Sequence, residues 1–177
     1  MRTGVAPLIL AMITIGMTVV TVYTDFRWGK IFNRLTVPMI VLGVALNLVW
    51  RGEDGLLRAG EGVLLGFTFF AVSAVFGRLL GGGDVKLLMA IGALQGPDFL
   101  MWTLFYMALV GAALAIALAL YRGVLTPRVR YLTASCYLRM APGAPIARAE
   151  AKGGPRLPYA IAIAMGSVTT LLLMRPA

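Results

Sequence analysis

The sequence predicts an all-α fold: a polytopic integral membrane bundle of six transmembrane helices, with both termini extracytoplasmic. Three observations predict it. The chain of 177 residues is 60% hydrophobic and 13% charged, where a soluble domain carries about 45–50% apolar and about 25% charged residues. The apolar residues gather into long uncharged runs instead of alternating with polar ones. The 16 Lys and Arg, set against 7 Asp and Glu, concentrate in every second connection between those runs, as cytoplasmic loops held against anionic lipid do. Together with a mean hydropathy of +0.88, this balance excludes a water-soluble globule and a disordered tail. The basic excess reads as a membrane partner, not nucleic acid, because the aromatics lie inside the apolar runs and form no basic-aromatic binding module.

Taken in order, the first run is Val5–Tyr23. It is long for a signal-peptide core and no A-x-A-like site follows it, so it reads as a true span. Only Arg2 precedes it, whereas Arg27, Lys30 and Arg34 follow, which places the N-terminus outside. The second and third runs, Leu35–Trp50 and Gly62–Gly77, are short for a hydrocarbon core about 30 Å thick. Snorkelling flanks such as Arg34 and Arg78 extend them. The fourth, Leu87–Pro97, is shorter still and works as a span if its helix starts near Asp84 at a dipped or wet boundary. Phe99–Tyr121 and Leu157–Met174 complete the set.

The charge count supports six crossings. Loops 1–2, 3–4 and 5–6 then hold 12 of the Lys and Arg, and the other side holds only Arg2, Arg51, Arg58 and Arg175. Dropping the fourth span spoils that asymmetry. The whole chain, 1–177, reads as one membrane-embedded domain with a basic cytoplasmic loop at about 122–156. That loop carries seven Lys and Arg against Glu150. It reads as a lipid-facing segment or, alternatively, as a dock for a substrate or partner, and Tyr131–Met140 is expected to form a short interfacial helix within it.

Two counts narrow the chemistry. There is no histidine and one cysteine, Cys136. Ser-His and Cys-His catalysis, HExxH zinc sites, an internal disulfide and a four-cysteine zinc site are therefore excluded. Carboxylates remain. Glu53, Asp54, Glu61 and Asp98 fall in or beside outer turns and read as solvated loop charges, and Glu150 sits in the basic loop. Asp25 closes the first span and Asp84 opens the fourth, both at the cytoplasmic boundary, where ionisable groups are costly and tend to be functional.

Taken alone, Asp84 after Gly81-Gly82-Gly83 reads as a helix N-cap. Asp25 reads as an interfacial carboxylate paired with Arg27 or Lys30, and Asn33 as a cap or a hydrogen-bond partner of an acid. Lys86, two residues past Asp84, does not share its helix face. As a pair, the two aspartates suggest aspartyl hydrolysis: one ionised to take a proton from water, one protonated to polarise a carbonyl.

Three strings then resemble a known family. Gly81-Gly82-Gly83-Asp84-Val85-Lys86-Leu87, with Gly92 and Gly96, resembles the GxGD signature of type IV prepilin peptidases. Asp25, six residues before Ile31-Phe32-Asn33, resembles that family's second block, although Phe32 stands where the family has proline. Pro158-Tyr159-Ala160-Ile161 with Gly166 looks like its last-span motif. The resemblance implies an aspartyl endopeptidase of the bacterial cytoplasmic membrane that removes class III leader peptides from prepilins or pseudopilins at the cytoplasmic face. It implies catalysis by Asp25 and Asp84, with Gly81 and Gly83 supporting the active-site loop, and no metal or cofactor. Pilus-assembly or secretion machinery is the implied further partner. No N-terminal tetracysteine domain precedes the first span, so the chain resembles the short Tad/Flp-type peptidases and carries no sign of the N-methyltransferase activity. Two other readings stay open at this stage. One is a carrier whose aspartates bind a proton or cation; the other is a non-catalytic assembly protein of a pilus or secretion system.

Overall fold

A computed structural model of the chain describes residues 5–75, 81–121 and 159–174. These form five helices: α1 (Val5–Trp28), α2 (Asn33–Val75), α3 (Gly82–Gln95), α4 (Pro97–Tyr121) and α5 (Tyr159–Leu173). No strand occurs among the described residues, in keeping with the expected all-α class. The chain divides into two compact units, one of Met1–Gly111 with Pro158–Ala177 and the other of Ala112–Leu157. The packing below belongs to the first unit. The basic loop at 122–156, the helix expected at Tyr131–Met140 and Cys136 lie outside the described residues.

Glycine makes α2 two helices in one. Gly52 departs from helical geometry at φ 63°, ψ −141°, a region that a side chain disfavours. The chain turns back there, as Gly43 and Gly62 reveal. A straight helix would hold residues 43 and 62 about 28 Å apart. Instead, a β-carbon on Gly43 would lie 2.8 Å from the carbonyl carbon of Ala93, while one on Gly62 would run into the neighbouring Gly92 carbonyl. The limbs 33–51 and 53–75 therefore fold against the same turn of α3. The reversal is tighter than the polar connection expected at 51–61, because the helix resumes directly after Gly52. Glu53 and Asp54 then occupy the first turn of the second limb, where acidic side chains favour the positive end of the helix dipole.

Contacts along α3 give the directions. The limb 33–51 runs parallel to it, with Asn33 beside Lys86 and Gly43 beside Ala93. The limb 53–75 runs antiparallel, with Gly62 at Gly92 and Gly66 at Met89. After Gly96 (φ 89°) the chain folds back into α4. Helices α4 and α5 are antiparallel: Thr103 meets Thr170, Met107 meets Gly166 and Gly111 meets Ala162. Helix α5 lies along α1.

Helix α3 is the centre. Leu87, Leu88, Ala90, Ile91, Ala93 and Leu94 have no exposed surface, and α1, α2 and α5 all pack on it. A helix apolar on every side is one buried on every side. At 14 residues it reaches about 21 Å, short of a bilayer core, and its neighbours enclose it. The outer faces are apolar too: Leu8, Met12, Val19, Val41, Val49 and Leu64 stand exposed, the pattern of a protein solvated by lipid. Three helical stretches are long and apolar enough to cross a membrane, Ala6–Trp28, Asn33–Phe69 and Pro97–Ala117, and Tyr159–Leu173 is a shorter apolar helix.

Candidate active site

Asp25 sits on a polar stripe of an apolar helix. Thr14, Thr18 and Thr21 are fully buried, and positions 14, 18, 21 and 25 share one helix face because 11 residues make just over three whole turns. Each threonine hydroxyl donates to a backbone carbonyl one turn earlier: Thr14 to Leu10 at 2.8 Å, Thr18 to Thr14 at 3.0 Å, and Thr21 to Met17 at 2.8 Å. The stripe is thus buried without leaving a hydroxyl unsatisfied. Beyond Asp25 the helix ends: the Gly29 N–H donates to the Asp25 carbonyl at 2.8 Å, and Gly29 takes φ 61°, a glycine stop.

One contact sets the level of the two aspartates. Gln95 Nε2, at the end of α3, donates to Thr14 Oγ1 at 3.0 Å. From that contact, 11 residues forward along α1 reach Asp25, and 11 residues back along α3 reach Asp84. Both paths climb about 16 Å in the same direction, because the helices are antiparallel. The far end agrees. A β-carbon on Gly83 would lie 2.8 Å from the Ile31 Cβ, and Lys86 Nζ donates to Asn33 Oδ1 at 2.9 Å. The turn between α1 and α2 therefore grips the start of α3 on either side of Asp84.

Asp84 is not the N-cap. Gly81 holds that position, and Asp84, three residues on, accepts the Gly81 N–H through Oδ2 at 3.0 Å. Asp84 precedes the apolar run 87–97 and lies outside it. Burial lifts its carboxyl from the ordinary carboxylate range to about 6; the Gly81 hydrogen bond opposes that rise, and the negative charge of Asp25 adds to it. Asp25 is half-buried and, among the described residues, makes no ion pair with Arg27 or Lys30. Lys86 turns to Asn33, and no ion pair to Asp84 forms among the described residues. Asn33 is thereby the partner of a lysine, not of an acid. Tyr23, Trp28 and Phe32 stack edge-to-face, with ring centroids 5.9 Å apart in each pair, around the same end of the bundle. The other acids among the described residues keep to the opposite end or the surface. Glu53, Asp54 and Glu61 are exposed, and Asp98 lies 3.7 Å from Arg58. A cavity of about 340 Å³ opens at that opposite end beside Gln95, Arg58 and Asp98, and neither Asp25 nor Asp84 lines it.

Three polar residues escaped the sequence reading. Asn47, inside the run Leu35–Trp50, is 3% exposed. Its Nδ2 lies within hydrogen-bonding distance of the carbonyls of Gly43, Ala93 and Leu94, at 3.0, 2.9 and 3.1 Å. Ala93 and Leu94 are among the final carbonyls of α3, which have no partner within their own helix. Gln95 and Thr14 join α3 to α1. The helical spacing of the threonines was visible; the partners of Asn47 and Gln95 were not.

The comparisons with known proteins fall on this arrangement. The family model of the type IV leader peptidase family matches residues 12–116, which include both aspartates and the glycine loop. A prepilin leader peptidase/N-methyltransferase of Bacillus subtilis (strain 168) is 30% identical over 163 residues, covering 92% of this chain and 54% of that protein. One of Burkholderia pseudomallei (strain 1026b) is 32% identical over 105 residues, covering 56% of this chain and 33% of that protein. The chain thus spans about half the length, or less, of these curated relatives. No solved structure matches it at a significant level. With the matched segment running from the threonine stripe through the paired helix ends to α4, the chain belongs to the type IV leader peptidase family.

Proposed function

We propose that the chain is a membrane aspartyl endopeptidase that removes the leader peptide from type IV prepilins or pseudopilins. It acts at the cytoplasmic face of the bacterial inner membrane, with Asp25 and Asp84 as the catalytic pair. The observation that carries this reading is the register of α1 on α3, which sets the two carboxylates at one level and one end of the bundle. In the proposed topology, the six helical segments that alternate in direction are six crossings, both termini are extracytoplasmic, and the end bearing the aspartates faces the cytoplasm. The asymmetry of Lys and Arg supports that orientation.

The chemistry follows from two acids in different states. In the reactive state Asp84 carries the proton and donates to the scissile carbonyl oxygen. Ionised Asp25 takes a proton from water, whose oxygen then forms the new bond to the carbonyl carbon. When the C–N bond breaks, that proton passes to the leaving nitrogen and one hydroxyl of the tetrahedral intermediate returns its proton to Asp84, so both acids recover their starting states. The products are a carboxyl-ended leader and a pilin with a free amino terminus. Gly81, where a β-carbon would meet only the Asp84 carboxylate, keeps that side of the acid free for an extended substrate segment, while Gly83 lets the Ile31 turn close on the start of α3 and so supports the loop. The substrate must be locally non-helical there, because a helical carbonyl is already hydrogen-bonded. No methyl transfer is assigned to this chain.

The test is to co-express a prepilin from the same genome with the wild-type protein, Asp25→Asn or Asp84→Asn, and to read the pilin N-terminus by mass spectrometry. Each variant is expected to insert normally and leave the leader attached. Leader removal by either variant contradicts the proposal, and a proton-coupled flux that either variant abolishes favours a carrier instead.

A further inference from the structure

The structure assigns a positioning role to the hydrogen bond between Lys86 and Asn33: it holds the turn that follows Asp25 against the start of α3, and so sets the spacing of the two aspartates. This inference rests on the peptidase reading above and extends it to residues that touch neither water nor substrate in that mechanism.

The geometry is specific. Residues 29–32 join α1 to α2 and follow Asp25 within a turn. This turn and Asn33, the first residue of α2, meet α3 at two points that bracket Asp84. One residue before it, Gly83 is so close to Ile31 that an added β-carbon would sit 2.8 Å from the Ile31 Cβ. Two residues after it, Lys86 Nζ donates to Asn33 Oδ1 at 2.9 Å. The first contact is packing and fixes how near the turn comes. The second is directional and charge-assisted, so it fixes where the turn stands along and around α3. Positions 84 and 86 are about 200° apart around the helix, so Lys86 points away from Asp84 and cannot neutralise it while bound to Asn33. One side chain thus anchors the turn and keeps a cation off the acid. A loosely held turn would let Asp25 drift relative to Asp84, and small misplacements of reacting groups cost rate far more than binding.

The experiment uses the full-length protein in detergent micelles. Its substrate is a prepilin from the same genome trimmed to its leader and first apolar helix. Steady-state kinetics are compared for wild type, Lys86→Met, Asn33→Ala, the double variant, Lys86→Arg and Asn33→Asp, with thermal unfolding recorded for each. Lys86→Met and Asn33→Ala are each expected to lower kcat by about tenfold with KM within about twofold of wild type. The double variant is expected to lose no more than either single one, because both remove the same bond. Asn33→Asp and Lys86→Arg keep an acceptor or a donor in place and are expected to recover most of the lost kcat. A purely structural role would instead show as a lower unfolding temperature with no rescue. Unchanged kcat in both single variants, losses that multiply to about a hundredfold in the double, or a loss confined to KM each overturn the inference. Should Asn33→Ala fail to accumulate, Lys86→Met and Asn33→Asp carry the same decision. Asp84→Asn separates the two levels of claim. If it still cleaves, the peptidase reading fails; if it is inactive while Lys86→Met matches wild type, only the positioning role fails.

Discussion

Asp84 has one carboxylate oxygen held by the Gly81 N–H and a carboxyl lifted to about 6, with burial the larger cause and the charge of Asp25 a contributor. The sign of a mutation follows. Asp25→Asn removes a negative charge and leaves the burial, so ionisation of Asp84 becomes easier and its midpoint is expected to fall below about 6. Carboxyl infrared or NMR titration of the full-length protein reads this, and an unmoved midpoint would mean that the two acids lie outside each other's field. Both aspartates were legible in the sequence as candidates, from their place at the ends of apolar runs and from the GxGD-like string. Their bonding was not. An N-cap at 84 and an ion pair from Asp25 to Arg27 or Lys30 are what local spacing suggests. The fold supplies Gly81 for the first and leaves the second unformed, while Lys86 is taken by Asn33 from 53 residues away.

At the scale of elements, the informative case is the end of α3. A helix buried at its C-terminus must have its last carbonyls satisfied from outside, and Asn47 does this from the neighbouring limb. Asn47→Leu fits the apolar surroundings by hydropathy yet strands the Ala93 and Leu94 carbonyls. It is expected to destabilise the protein by about 1–3 kcal/mol, read as a lower unfolding temperature in detergent. An unchanged temperature would show that these carbonyls find other partners. In sequence, Asn47 was hidden within an apolar run, since periodicity tells which face is buried but not what that face meets. The reversal at Gly52 was legible as a polar break between two runs. Its tightness was not, because it depends on the left-handed backbone of one glycine.

For the molecule as a whole, hydropathy and charge asymmetry together implied alternating helices, and the contacts along α3 give opposite directions to α1 and the first limb of α2, and to the second limb and α3. The short run 87–97 illustrates why length alone misleads. It is brief for a membrane span, yet as the enclosed centre of the bundle it meets protein on its sides. The pairing of α4 with α5 rests on contacts between elements separated by the basic loop, so it merits its own check. In a Cys136→Ser background, Gly111→Cys with Ala162→Cys is expected to form a disulfide on mild oxidation. The β-carbon built at 111 lies 3.9 Å from the Ala162 Cβ, close to the mean Cβ separation of about 3.8 Å in disulfides. Failure to cross-link would mean a different pairing of these two helices.

The central claim is geometric: two acids 59 residues apart in sequence share one end of the bundle and one side of the membrane. Cysteines placed singly and together by Asp25→Cys and Asp84→Cys, again without Cys136, test it most directly. The account predicts that both react with a membrane-impermeant thiol reagent from the cytoplasmic side alone, and that a short bis-thiol reagent joins them within one chain. Labelling from opposite sides of the membrane, with no intramolecular cross-link, would contradict it.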